Sequence, residues 1–351
     1  MNLFGARPFL VVDIGTTSIK IGEFIRRAQD VELRNYGFLE SRAFLDGTGN
    51  AIQTSSFRML EPLVIDYLQR VIRAMGTKAK QAYVALPAFS AFTTLIELPE
   101  MSREDTERAI PFQSQQYIPA PLASVVVEWF PVGTRQNFSG SAMQQIFLVS
   151  VSKNTLKKYE RILRGAGLKM AGAELESISL ARVASLGQTP ILIADIGSRS
   201  TSLCVAENGV LKYSIQTDFA GSSLTQVLAN GLNITLSRAE SLKNSRGLAP
   251  RGGEQGLSTL MAPILDAIIS EATRVLAGFE RSFGRKVERV VLSGGGARLI
   301  GAEEYFSREL NLPTTQIEPF KRISYPSSLS ARTAARATEL AVVVGLAIKS
   351  R

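Results

Sequence analysis

The stretch Leu10-Val11-Val12-Asp13-Ile14-Gly15-Thr16-Thr17-Ser18-Ile19-Lys20 recurs as Leu192-Ile193-Ala194-Asp195-Ile196-Gly197-Ser198-Arg199-Ser200-Thr201. Each copy reads as an apolar strand, an Asp-Ile-Gly bend, hydroxyl-bearing residues and a second apolar strand. A glycine at the bend lets backbone N–H groups approach an anion, and Ser or Thr hydroxyls add donors. The preceding carboxylate suits a hydrated divalent cation, because Mg²⁺ takes few carboxylates and keeps water and phosphate oxygens. Either copy alone is an ordinary hairpin turn. Two copies half the chain apart argue for facing hairpins that grip a nucleotide phosphate chain from both sides.

Two further segments point the same way. Val290-Val291-Leu292-Ser293-Gly294-Gly295-Gly296-Ala297 is a strand running into a glycine triplet, followed by a helical stretch from Glu303 to Leu310. A bare triplet is a flexible turn; between a strand and a helix it suits backbone approach to a ribose or α-phosphate. In Ala239-Glu240-Ser241-Leu242-Lys243 the Glu and Lys share one helical face. Alone, they would be a surface ion pair.

Composition removes other classes. With 351 residues the chain exceeds the roughly 250–300 at which single cores stop growing, so two lobes are expected. No histidine occurs, which excludes Ser-His-Asp, Cys-His and His-zinc chemistry. No P-loop pattern is found, nor a G-x-G-x-x-G after a strand. The single cysteine, Cys204, cannot form an internal disulfide and reads as a small core residue. The longest apolar runs, such as 340–348, fall short of the ~18–20 residues of a membrane span. The first residues show no signal-peptide layout, so a cytoplasmic protein is expected. A net charge of +9 fits an anionic membrane surface or an acidic partner. Nucleic acid is not expected, because the basic residues read as scattered, without interleaved aromatics.

In this order the motifs resemble the actin/Hsp70/FtsA ATPase superfamily: phosphate motifs at 13–20 and 195–201, an adenosine motif at 292–298, Lys20 seven positions after Asp13, and the helical Glu-x-x-Lys. The resemblance implies an α/β actin-like ATPase fold, with ATP and Mg in a cleft between two ribonuclease-H-like lobes. It implies that Gly15, Thr16, Thr17, Ser18 and Lys20 contact the β- and γ-phosphates, with Gly197, Ser198, Thr201 and Gly221 closing from the other lobe. Asp13 and Asp195 would hold Mg through water and are the candidate catalytic groups. Glu240 and Lys243 would flank ribose or base, and Gly294, Gly295, Gly296 and Ala297 would meet the adenosine.

Between the motifs the pattern is mixed. A helix is expected over 62–75, ending at Gly76, then strands at 83–87 and 92–98, with 43–56 an exposed loop. Ser102 is a plausible N-cap for a helix running toward Tyr117. Strands at 124–130 and 145–151 flank a polar turn region from Gly133 to Ser141, and a helix spans 154–165. A last helix over 331–348 is expected, with Gly345 packing near Ala74. The lobes then divide as 1–98 with 171–189, an inserted unit 99–170, and 190–351 with a helical insertion at about 227–286.

The inserted α+β unit resembles subdomain 1C of FtsA and its relatives. Within it, the segment 109–122, with Tyr117-Ile118-Pro119 followed by Pro121, is similar to that of the PilM family of type IV pilus assembly proteins. That family implies a cytoplasmic ATP-binding scaffold recruited to the inner face of the plasma membrane through its partners. A PilN-like membrane protein would place its N-terminal peptide in the 1A/1C cleft, and other platform components and motor ATPases could join. FtsA-like proteins would carry an amphipathic helix after the last connecting helix, which is not found before Arg351. Some expected features are missing: an Arg near Ile215 is absent, Ala220 replaces a glycine, and Arg199 is bulky for its loop. No residue identifies itself as the positioner of a hydrolytic water, so weak or no ATPase activity is expected. The alternatives are a small-molecule kinase on this fold and an FtsA- or MreB-like filament protein.

Overall fold

In the computed structural model, which describes residues 7–27, 30–40, 61–137, 139–248 and 255–349, the repeated stretches become equivalent hairpins. Strands β1 (Phe9–Ile14), β2 (Ser18–Arg27) and β3 (Asp30–Glu40) form an antiparallel meander. Helix α1 (Glu61–Met75) follows, then β4 (Gln81–Leu86), parallel to β1. Later in the chain β8 (Lys169–Leu175) adds in parallel, giving the order β3-β2-β1-β4-β8. Strands β9 (Ile191–Ile196), β10 (Thr201–Glu207), β11 (Val210–Thr217), β12 (Arg289–Ser293) and β13 (Thr314–Gln316) repeat the plan as β11-β10-β9-β12-β13. β1 and β9 lie inside their sheets, which is why they read as nearly unbroken apolar runs.

Two helices lie between the sheets: α4 (Glu176–Ala184) and α10 (Ala337–Lys349) pack on each other and touch strands of both. Their burial is nearly all-round, and Leu340 to Ala347 are buried without a break. The closest approach is at Gly345, where an added Cβ would stand 2.1 Å from the Ser179 carbonyl oxygen. Gly345 therefore meets α4, not the region of Ala74. Nor is the last helix continuous from 331. A short α9 (Ser330–Ala334) ends where Arg336 N–H donates to the Thr333 carbonyl, a tightened turn that separates it from α10.

The second lobe's remaining helices are α5 (Gly221–Leu232), α6 (Leu236–Arg246), α7 (Gln255–Phe283) and α8 (Ala302–Leu310). Met261, Leu265, Ile268, Ala272, Val275 and Phe279 form the buried stripe of α7, at the three-and-four spacing of an amphipathic helix. Among the described residues, no helix is long and apolar enough to cross a membrane.

The inserted unit is a three-stranded sheet, β5-β7-β6, built from β5 (Ala91–Pro99), β6 (Val125–Gln136) and β7 (Ala142–Ser152). Side chains alternate across β7. Ile146 and Leu148 face a small core with Ile96, Leu98 and Ile110, while Phe147, Val149 and Val151 join the main core. Ile110 belongs to α2 (Arg103–Ser114), which Ser102 caps by accepting the Asp105 N–H at 3.1 Å. Three expectations change here. β5 pairs within this sheet, although residues 1–98 were expected in the first lobe. β6 runs on to Gln136, so the polar turn begins only at Asn137. Helix α3 (Lys153–Gly165) packs beside α1, with an added Cβ on Gly165 lying 2.6 Å from Ile65 Cδ1. The expected loop over 43–56 lies outside the described residues.

Candidate functional site

Both Asp-Ile-Gly bends close with the same backbone hydrogen bond, Gly15 N–H to the Ser18 carbonyl at 2.9 Å and Gly197 N–H to that of Ser200 at 3.0 Å. They face one cavity of about 390 Å³, within the ~300–1,000 Å³ of small-molecule sites. The cavity brings together Asp13, Gly15, Thr16, Thr17, Ser18 and Lys20 from the first lobe with Asp195, Gly197 and Ser198 from the second. Glu240, Lys243, Gly294, Gly295 and Gly296 complete the set of expected residues on its wall. Three others lie behind it. Thr201 is buried and donates its hydroxyl to the Phe219 carbonyl at 2.7 Å. Gly221 is held by its N–H to the Gly197 carbonyl at 3.0 Å, and Ala297 is fully buried.

The two hairpins share a register but differ in charge. Lys20 stands opposite Asp13, and its ammonium lies 2.7 Å from Asp13 Oδ2. Ser202 takes the matching place opposite Asp195. Burial alone would lower the Lys20 pKa, but Asp13, with Glu176 and Asp195 beyond it, raises it overall. Burial raises that of Asp195; a Ser293 hydrogen bond and Lys20 oppose this only in part. Asp13 Oδ1 is buried and has no hydrogen-bond partner among the described residues, which a buried carboxylate oxygen rarely lacks.

Glycine is required where the third motif approaches. Gly294 has φ +79°, and an added Cβ would lie 2.6 Å from the Ile196 carbonyl oxygen and 2.9 Å from Asp195 Oδ1. At Gly296 a Cβ would come within 2.3 Å of Ile196 Cγ2. The glycine triplet thus packs on the second hairpin. Glu240 and Lys243 are more than a surface pair: the Lys243 ammonium donates to Glu240 Oε2 at 2.7 Å, Thr225 Oγ1 at 2.8 Å and the Gly221 carbonyl at 3.0 Å. Burial lowers the Lys243 pKa despite Glu240. Burial would raise that of Glu240, but Lys243, Thr225 and Asn244 hold it below the ordinary value.

Several lining residues were not singled out from the sequence. Glu176 opens α4 at the end of β8 and joins Asp13 and Asp195 around the cavity. Burial first, then the charges of Asp13 and Asp195, raise its pKa well above the ordinary value. Glu176 follows β8 at the carboxyl edge of the parallel strands, where such sheets place ligand sites, a position set by strand pairing. Arg336 and Arg298 also line the cavity and both engage the buried Glu339, Arg336 at 3.0 and 3.1 Å and Arg298 at 3.1 Å. Arg336 also lies 4.1 Å from the centre of the Phe38 ring in the first lobe.

The donor set fits a hydrated Mg²⁺ with a phosphate chain. The carboxylates of Asp13 and Asp195 line one cavity from the two hairpins, and Asp13 Oδ1 has no hydrogen-bond partner among the described residues. An ion held this way keeps its water.

Comparison with known proteins agrees with the architecture. The structure of a PilM-PilN type IV pilus biogenesis complex superposes with a TM-score of 0.81 at 20% identity, covering 97% of this chain and 98% of that one. MreB 5 of Spiroplasma citri bound to AMPPNP matches at a TM-score of 0.55 and 15% identity, over 97% and 95% of the two chains. Cell division protein FtsA of Neisseria meningitidis serogroup B (strain ATCC BAA-335 / MC58) is 22% identical, covering 61% of this chain; the match spans 60% of that relative's length. The fold is therefore the actin-like ATPase fold. The family model for type IV pilus assembly protein PilM matches residues 11–351, and the chain belongs to that family.

Proposed function

We propose that this chain is a cytoplasmic, ATP-binding scaffold of type IV pilus assembly that holds the N-terminal tail of a PilN-like inner-membrane protein. The observation that carries the reading is the convergence of both Asp-Ile-Gly hairpins on one cavity, with Asp13 Oδ1 buried there and without a hydrogen-bond partner among the described residues. Asp13 and Asp195 would hold Mg²⁺ through water. The first hairpin's backbone and hydroxyls, with Lys20, would take the terminal phosphates, and Gly197 and Ser198 would close from the other lobe. Gly294 to Gly296 leave room for the sugar, beside Glu240 and Lys243. A bound magnesium nucleotide supplies a charge that both lobes contact at once, which favours their closure. Glu176, on the same cavity wall, would orient a water, but burial and the charges of Asp13 and Asp195 favour its protonated form, which accepts no proton. Slow turnover follows.

The tail would lie between the first lobe and the inserted sheet, adding to an edge strand by backbone pairing, with side-chain pockets for specificity. The PilM-PilN complex supports this choice of partner. Coupling has a physical route, because the inserted sheet touches the second lobe. Gln145 donates to the Ser282 carbonyl at 2.6 Å, and the Lys212 ammonium donates to the Val132 carbonyl. Lobe closure would shift these contacts and so bias the tail site. The test is titration of a synthetic partner tail with and without Mg-ATP. Tighter or weaker binding with nucleotide supports the coupling; equal affinity removes it.

A further inference from the structure

Six of the forty lysines and arginines, scattered in the sequence, gather at one edge of the first lobe. Strands β1, β4 and β8 are parallel, and the cavity lies beyond their carboxyl ends, near Asp13, Pro87 and Glu176. At the opposite edge Lys80 precedes β4 and Lys169 opens β8, joined by the Lys169 N–H to the Lys80 carbonyl at 2.7 Å. Arg7 enters β1, whose Leu10 stands opposite Ala82. Helices α1 and α3 run parallel, since Glu61 meets Arg161 and Gln69 meets Gly165, so their last turns bring Arg73 and Arg164 to the same edge. Lys78 sits between α1 and β4.

These six side chains belong to exposed residues, and none forms an ion pair among the described residues. Of the neighbouring acids, Glu23 accepts a hydrogen bond from Thr77 beside Lys78, and Glu32 pairs with Arg27 and Arg34. Asp30 opens β3, at the far side of the sheet from β4 and β8. Arg73 and Arg164 have a local reason for their places, because a helix C-terminus favours cations. Arg7, Lys78, Lys80 and Lys169 have none.

We propose that this edge rests on the anionic headgroups of a phospholipid membrane, which turns the cavity to the side away from the lipid. A row of unpaired charges along aligned strand starts suits a broad anionic surface. Single-stranded nucleic acid would call for stacking platforms. The large exposed aromatics, Phe112, Tyr117 and Phe219, lie on other parts of the molecule. The proposal does not rest on nucleotide or tail binding.

The experiment is co-sedimentation of the full chain with phosphatidylglycerol-containing vesicles and with pure phosphatidylcholine vesicles, at low and high salt. A triple variant, Lys78→Gln with Lys80→Gln and Lys169→Gln, is compared with a second-lobe control, Arg238→Gln with Arg281→Gln and Arg289→Gln. At about five-fold per charge near the surface, the edge triple should lose about 100-fold in partition and the control little. Circular dichroism of both variants verifies that they fold. Three results would overturn the proposal: no preference for anionic vesicles, equal losses in both triples, or tighter binding of a polynucleotide that the edge triple abolishes instead.

Discussion

Gly345 of α10 lies against the main chain of Ser179 in α4, so close that a methyl group there would overlap the Ser179 carbonyl. These two helices are packed between both sheets and touch strands of each. Gly345→Ala is expected to destabilise by about 2–3 kcal/mol, the upper part of the range for overpacking, because backbone must move. Gly256→Ala, whose added Cβ meets nothing within 4 Å, should be neutral or stabilising by up to ~1 kcal/mol. Urea denaturation of the two variants checks the contrast.

Glu174 anchors the same helices. Its carboxylate takes two hydrogen bonds from Arg182, at 2.7 and 2.9 Å, one from Ser179 at 2.8 Å, and lies 2.6 Å from the Lys349 ammonium. Burial would raise its pKa, but Arg182 and then Lys349 outweigh burial and lower it overall. A depressed carboxylate pKa stabilises the fold above the unfolded value of about 4.3 and loses that contribution as pH falls through the folded value. Wild type should therefore lose stability below about pH 4.3 more steeply than Glu174→Gln. At pH 7 Glu174→Ala should cost about 3 kcal/mol, since it strands a partly buried Arg. Thermal melts across pH measure both.

Lys243 is nearly buried among Glu240, Thr225 and the Gly221 carbonyl. Lys243→Met should destabilise by roughly 1–3 kcal/mol, because several polar atoms lose their partner together. On the proposed function it should also weaken ATP binding about tenfold or more, as α6 loses its hold on the start of α5. Equilibrium binding of a fluorescent ATP analogue checks this. Unchanged affinity would leave the Glu240–Lys243 pair a purely structural clamp.

Gln145 links the inserted sheet to the end of α7 through the Ser282 carbonyl. Gln145→Ala should cost about 1 kcal/mol of stability. Its sharper effect should be on coupling: the difference in tail affinity with and without Mg-ATP should shrink toward zero, while affinity without nucleotide stays near wild type. Tail titration on the variant measures this.

What could be read from sequence was local. The Asp-Ile-Gly bends, the Ser102 cap and the stop at Gly76 depend on residues a few positions apart, and the duplication supplied the pairing of lobes. Glu176 was missed because its place follows from β8 lying beside β4, a pairing that no local pattern encodes. Thr201 carries the hydroxyl that a phosphate loop would use, yet strand pairing turns it inward to Phe219. Gly345 was legible as a close-packing residue, but its partner was not, since an apolar helix buried all round gives no preferred face. β5 alternates in the same way whichever sheet it joins.

On the proposed function, Asp13 and Asp195 form one metal–nucleotide site. Thermal unfolding of wild type and Asp195→Asn, with and without Mg-ATP, tests it most directly. At about 100 times its dissociation constant the ligand should stabilise wild type by roughly 2.7 kcal/mol, several degrees in melting temperature. That shift is expected in wild type, and its loss in Asp195→Asn and on replacing Mg²⁺ with a chelator. No shift in wild type at millimolar Mg-ATP, or an equal shift in the variant, would contradict it.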